Sequence, residues 1–253
     1  MPLEEKTILV TGASRGIGKE IVKLLASEWA QLILVARSSR HLKSLTKELV
    51  GHHLVISADL TTKKGLNKVV RTINKKVKSL DVIVNNAGIG IYKPFAKITE
   101  KDWDNSYALN VKAPYFLAQS LLPLMTKSSG SLVLNIGSCS ALQNKPERSL
   151  YNATKAALRS LTLCLEQEYK SGRPKFCHIT LDSTLTSFGP LSVAEKKTQS
   201  KLGREYLSPV WVSQQIVNVI KSDSRSAEYV LSPHCFKDCG VWVPPSSAKA
   251  PNS

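Results

Sequence analysis

About seven short apolar runs, each followed by a stretch of helical periodicity, constrain this chain more than any other feature. The runs fall at 7–11, 31–36, 53–57, 81–85, 131–136, 176–181 and 228–231. Their inner positions are Val, Ile and Leu with few polar breaks, as suits strands covered on both faces. Between them the apolar spacing predicts helices at about 16–29, 39–49, 61–79, 100–127, 149–171 and 208–221. Ile17, Ile21, Leu24 and Leu25 give the first of these an apolar face. Strands that alternate with helices predict an α/β fold: a doubly wound parallel sheet of about seven strands with helices on both faces. Right-handed crossovers then put the ligand crevice at the carboxyl ends of the strands.

A chain of 253 residues can bury one full core and does not demand two. The reading is a single domain over 1–243, with a substrate lid at about 188–207 and a frayed, Pro- and Ser-rich tail at 244–253. No targeting signal is read at the start, where Ile8, Leu9 and Val10 stop at Thr11-Gly12. The most apolar long stretch, 113–125, is interrupted by Gln119 and Ser120, so no membrane span is expected and a cytoplasmic address follows. The five cysteines are scattered and odd in number, which reads as a reduced set. Cys235-x3-Cys239 lacks the second half of a zinc site, and no metal is expected.

The net charge of +16 raises nucleic acid or an acidic partner as readings. Residues 61–79 argue for a plainer one. Leu66, Val69, Val70, Ile73 and Val77 form one helical stripe, and the seven Lys and Arg of this segment lie mostly off it. No aromatic residues interleave with those cations, so no stacking platform for bases exists there and nucleic acid is not expected.

The first predicted strand runs into Thr11-Gly12-Ala13-Ser14-Arg15-Gly16-Ile17-Gly18 and then a helix. Glycines permit this tight turn and let a pyrophosphate approach backbone N–H groups at the helix N-terminus. The second strand ends at Val35-Ala36-Arg37-Ser38, where an NAD site usually needs a carboxylate. Arg37, with Arg15 in the glycine turn, suits a 2′-phosphate instead, so NADP(H) is the expected cofactor.

With these features the chain resembles the short-chain dehydrogenase/reductase family, in its NADP-preferring form, over about residues 5–171. The motifs occur in order: Thr11-Gly12-x3-Gly16-x-Gly18, Asp59-Leu60, Asn85-Asn86-Ala87-Gly88, Asn110, Ile136-Gly137-Ser138 and Tyr151-x3-Lys155. The resemblance implies a single Rossmann-type domain and oxidoreductase chemistry between an alcohol and a carbonyl. It implies that Asp59 receives the adenine amino group with Leu60 beside the ring. It places Asn86, Ala87 and Gly88 beside the adenosine ribose, though Asn85 and Gly88 could serve the turn alone. It gives Lys155 a reach to the nicotinamide ribose, and Asn110 a helix kink and a water that links Lys155 to solvent. Assembly as a homodimer or homotetramer through 100–127 and 149–171 is implied too. Leu121, Leu122, Leu158, Leu161 and Leu165 could supply that face or could be core.

Hydride transfer to a carbonyl carbon requires a proton at its oxygen in the same event, and the protein must supply it. A free tyrosine, with a pKa near 10, is a poor base at neutral pH, and a nearby ammonium would lower that value. Tyr151 and Lys155 stand at i and i+4, on one helix face. Ser138 ends the fifth strand, where its hydroxyl can donate to the substrate oxygen beside Tyr151. Asn110, Ser138, Tyr151 and Lys155 are therefore the expected catalytic set. The pocket is expected to be lined by Ser140, Gln143, Asn144 and the stretch 89–95.

The chain departs from the family after the sixth strand. The usual Pro-Gly motif, which closes over the nicotinamide, is replaced by Ser183-Thr184-Leu185-Thr186-Ser187-Phe188-Gly189-Pro190. Thr184, Thr186 or Ser187 could hold the carboxamide, and no charged partner is identified for Asp182. The lid is basic, with Lys196, Lys197, Lys201 and Arg204. The expected activity is reduction or oxidation of a small carbonyl or alcohol compound. An acidic carrier protein is compatible with the charge. The competing reading is a catalytically inert NADP(H)-binding interaction protein.

Overall fold

The computed structural model describes residues 2–232. Cys235, Cys239 and the predicted tail at 244–253 lie outside them. Seven parallel strands form one sheet in the order β3-β2-β1-β4-β5-β6-β7. They are β1 Thr7–Thr11, β2 Gln31–Ala36, β3 Leu54–Ser57, β4 Val82–Asn85, β5 Leu132–Ile136, β6 Lys175–Leu181 and β7 Glu228–Leu231. The α-helices are α1 Gly16–Ser27, α2 Ser39–Thr46, α3 Lys63–Lys76, α4 Glu100–Tyr107, α5 Ala113–Met125, α6 Ser149–Glu168, α7 Val193–Lys201 and α8 Pro209–Lys221. This is the expected single Rossmann-type α/β domain. The strand order reverses between β1 and β4, and a crevice opens beyond the carboxyl ends of strands at such a switch.

Strand alternation sorts the core into two layers. Ile8 and Val10 of β1 join Ile21, Leu25 and Ile216 on one face of the sheet. Leu9 between them joins Val69, Ile73, Leu117 and Leu121 on the other. Both faces are covered, which is why the strand sequences lack a polar alternation. The leucines that could have faced a partner mostly serve this core: Leu121 and Leu158 are buried, and Leu165 packs against the second layer.

Several helices are shorter than the apolar spacing predicts, for local reasons. Thr62 ends the approach to α3 by accepting from the Gly65 N–H at 3.0 Å. Val77 leaves that helix in an extended conformation, yet still packs against the same core layer. The single helix predicted at 100–127 is broken into α4, a π-helical turn at Ala108–Lys112, and α5. One helix was not anticipated. α7 lies in the predicted lid and starts at a reciprocal cap between Ser192 and Glu195. The Ser-x-x-Glu signal was present, but a mostly polar stretch offered no periodicity to support it.

Candidate functional site

The glycine turn is held from β4. Thr11 Oγ1 accepts from the backbone N–H groups of Asn86 and Ala87, at 3.1 and 3.0 Å. The Asn86 side chain donates back to the carbonyl of Thr11 at 2.9 Å. Gly12 has φ +66, and a Cβ there would stand 2.8 Å from the Asn86 amide nitrogen. Only glycine allows both the left-handed backbone and that approach. Arg15 precedes α1 without capping it, and the first turn of α1 carries no acidic residue. The first N–H groups of α1 thus have no side-chain cap and face an electropositive helix end, the arrangement that accepts a phosphate.

The other expected cofactor residues lie in the glycine turn itself, at the start of α1 and in the segments after β2, β3 and β4. Ser38 caps α2 by accepting from the His41 N–H at 3.3 Å, and the Arg37 side chain is exposed beside it. Arg15 turns the other way in this structure: its guanidinium donates to Ser187 Oγ at 3.5 Å. Asp59 uses one carboxylate oxygen, Oδ1, for the Thr61 N–H and hydroxyl at 3.0 and 2.8 Å. Leu60 is buried, and Ile17 is half-buried against the core. Ser14 is partly exposed in the glycine turn, and Gly88 sits under Asn110 and Lys155, 3.3 and 3.8 Å from where its Cβ would be.

The strands and helices also bring the four expected catalytic residues together. Asn85 donates to Asn135 at 2.8 Å, and Asn135 donates to Thr162 of α6 at 2.9 Å. This buried chain of amides and a hydroxyl fixes α6 against β4 and β5, and α6 carries Tyr151 and Lys155. Ser138 follows β5, and a hydrogen bond with it favours ionisation of Tyr151. Lys155 Nζ lies 5.9 Å from the Tyr151 ring centroid and donates to the Ile136 carbonyl at 2.8 Å. Burial lowers its pKa to about 8.

Tyr151 departs from the expectation that Lys155 would depress it. Burial raises the phenol above its ordinary value, reinforced by Tyr92 and opposed by Ser138 and by the guanidinium of Arg148. Desolvation of the phenolate outweighs the nearby cations. Asn110 also does more local work than the sequence implied. It lies in the π-helical turn, accepts from the Ile89 N–H at 2.9 Å, and donates to the Ile89 carbonyl at 2.8 Å and to Thr154 at 3.1 Å. The helix break is there, and it ties α6 to the loop after β4.

Sequence reasoning did not single out five contributors. Tyr92, within the expected lining stretch, packs on Tyr151 with centroids 5.4 Å apart, and Phe188 packs on it at 5.9 Å. Arg148 stacks on Tyr92, 5.0 Å from its ring centre. His178 of β6 is fully buried, directly beneath Gly137. Lys196, assigned to a solvated lid, is buried instead. The partners of Asp182 are uncharged: it accepts from the Ser183 N–H at 2.6 Å and the Ser232 hydroxyl at 2.8 Å. Of the expected pocket residues, Ser140, Asn144 and Phe95 line a cavity of about 580 Å³ and Gln143 does not; its backbone carbonyl accepts from the Asn152 side chain at 2.6 Å.

A doubly wound sheet with a glycine turn at its switch point and a Ser, Tyr and Lys set beside it defines a dinucleotide-binding oxidoreductase. The family model of the short chain dehydrogenases matches residues 6–188, and the chain belongs to that family. An oxidoreductase of Staphylococcus epidermidis is 31% identical over 166 residues, which cover 66% of this chain and 72% of that protein. Among solved structures, L-sorbose reductase from Gluconobacter frateurii, complexed with NADPH and L-sorbose, superposes with a TM-score of 0.84 at 25% identity. The match covers 94% of this chain and 100% of that one. An alcohol dehydrogenase from Thermococcus sibiricus, complexed with 5-hydroxy-NADP, gives a TM-score of 0.79 at 26% identity, over 90% of this chain and 96% of that one. No helix among the described residues is long and apolar enough to cross a membrane.

Proposed function

We propose that this protein reduces a small carbonyl compound to an alcohol with NADPH. The observation that carries the reading is the convergence of Ser138 with the buried Tyr151 and Lys155 at the carboxyl end of β5. The cofactor, when bound, supplies the hydride. The uncapped start of α1 would hold the pyrophosphate, and the exposed Arg37 would favour the 2′-phosphate, with Arg15 joining it if it leaves Ser187. Structural relatives complexed with NADPH and with 5-hydroxy-NADP support the phosphorylated cofactor.

The proton chemistry belongs to the chain. Burial keeps Tyr151 protonated at neutral pH, so the phenol is set to give its proton to the substrate oxygen as the carbon is reduced. Ser138 donates a second hydrogen bond to that oxygen and stabilises the developing alkoxide. Lys155, with a pKa near 8, remains largely charged at pH 7 and favours the phenolate left behind. Tyr92 and Phe188, packed on Tyr151, would shield the phenol from water. Exposed Trp103 on α4 and Phe116 on α5 suit assembly with further copies through these helices.

The test is NADPH and NADH oxidation against a panel of aldehydes, ketones and sugars, with wild type and Tyr151→Phe. Wild type should consume NADPH faster than NADH. The variant should keep its affinity for NADPH and lose at least about 100-fold in turnover, the usual worth of a general acid. Equal turnover in both proteins would overturn the assignment.

A further inference from the structure

The segment that replaces the Pro-Gly motif is anchored at one end. Leu185 N–H donates to the Leu207 carbonyl at 2.9 Å, and Leu207 N–H donates to Ser183 at 2.9 Å. Beyond this short bridge the chain crosses the crevice. The Thr186 side chain stands 3.6 Å from the position a Cβ on Gly16 would take. Ser187 receives Arg15, and Phe188 lies on Tyr151. Residues 184–188 therefore span from the glycine turn to the proton donor, over the half of the crevice where the reacting end of a dinucleotide must lie.

A proline would stiffen such a span by fixing φ. This segment has none before Pro190. It has instead three alternate carbonyls, of Thr184, Thr186 and Phe188, on a bent backbone in which the Thr186 N–H donates to the Thr184 carbonyl at 2.8 Å, and all three meet one cation. Lys196 Nζ donates to the carbonyls of Thr186 and Phe188 at 2.7 Å each, and to that of Thr184 at 3.4 Å. An ammonium has three donors, and these contacts use all of them. The side chain belongs to α7, is only 7% exposed, and forms no ion pair among the described residues. Burial, aided by Arg204, pushes its pKa down. The three carbonyl dipoles offset that cost and are the reason the charge is tolerated. Tyr206 packs near the same ammonium at 5.9 Å, and its hydroxyl donates to Gln199 of α7 at 2.5 Å.

We propose that Lys196 is a positioning residue for the reaction: it clamps 184–188 over the nicotinamide half of the cofactor and ties the placement of that segment to α7. The proposal rests on the dinucleotide reading of the crevice. An electrostatic clamp takes the place of a stiff backbone. Its consequence is selective, because the adenosine half of the crevice is built by β1, β2 and α1, which Lys196 does not touch.

The experiment compares two ligands that differ only by the nicotinamide. Dissociation constants for NADPH and 2′-phospho-ADP-ribose are measured by calorimetry on wild type, Lys196→Met and Lys196→Arg. NADH and ADP-ribose replace them if wild type prefers the unphosphorylated cofactor. Lys196→Met should weaken NADPH about tenfold, the worth of lost charged hydrogen bonds, and change 2′-phospho-ADP-ribose less than about twofold. Lys196→Arg, which keeps charge and donors, should recover much of the loss. Equal weakening of both ligands, or none, would overturn the clamp. Wild type that binds neither cofactor would overturn the dinucleotide reading instead. Hydrogen exchange on wild type covers the case in which Lys196→Met does not fold. Amides of 184–188 should gain protection with NADPH and not with 2′-phospho-ADP-ribose, and equal protection would reject the clamp.

Discussion

A residue that no motif marks adds its charge to the field at Tyr151. Burial raises its pKa, Ser138 lowers it through a hydrogen bond, and the full charge that opposes burial from the pocket side is Arg148. Arg148 is held by stacking on Tyr92, the aromatic neighbour of Tyr151. The guanidinium cannot lose its charge at any working pH, so its field on the phenol is constant. Alcohol oxidation requires the phenolate, and its rate should rise with pH along a limb set by Tyr151. Arg148→Gln should move that limb to higher pH, by up to about one unit, while Arg148→Lys should move it less. A pH profile of oxidation that is identical in wild type and Arg148→Gln would show that Arg148 exerts no field on the phenol. The Tyr151 and Lys155 pair was legible because it lies at fixed spacing on one helix. Arg148 and Tyr92 were not, because their relation to Tyr151 arises only when the loop after β4 folds over the start of α6.

At the scale of elements, β5 and β6 fit each other at one point. A Cβ on Gly137 would stand 2.0 Å from His178 Nε2 and 2.4 Å from Cε1. The imidazole fills the space under the residue that precedes Ser138, and both its nitrogens lack hydrogen-bond partners among the described residues. Gly137→Ala should cost about 1–3 kcal/mol by overpacking and should lower turnover by displacing Ser138. His178→Ala in the same chain should recover part of both losses, a coupling that urea unfolding of the single and double variants measures. Additive losses would mean that the two strands accommodate the methyl independently. The strands themselves were readable as runs of Val, Ile and Leu, with ends correct to a residue. The helices were readable where one face is apolar, as in α3. Periodicity alone ran through 100–127, where the resemblance had marked Asn110 as a kink and a π-helical turn is found, and it missed α7, which Lys196 ties to 184–188, a contact that periodicity does not encode.

For the molecule as a whole, the buried groups predict how stability follows pH. His178 is held at about 3 by burial, against an ordinary value near 6.5. Between those values the unfolded chain binds a proton that the folded protein refuses, so stability falls as pH drops below about 6.5. The loss from this group between pH 7 and pH 5 should reach about 2 kcal/mol. His53, also lowered by burial, acts in the same direction over the same window. Glu228 acts later. Burial opposes its ionisation, but hydrogen bonds from Arg159, at 2.6 to 3.0 Å, and from Thr180 keep it below the usual carboxylate value. Its stabilisation is present above about 4.5 and is lost as pH falls through the depressed value. Two windows therefore separate the two groups. His178→Leu, a side chain of similar bulk without a titratable proton, should flatten the decline between pH 7 and pH 5 and leave the steeper fall below pH 4.5. Unfolding free energies at pH 7, 6, 5 and 4 resolve the two. An unchanged slope above pH 5 in His178→Leu would assign the upper window to His53 rather than to the imidazole under Gly137.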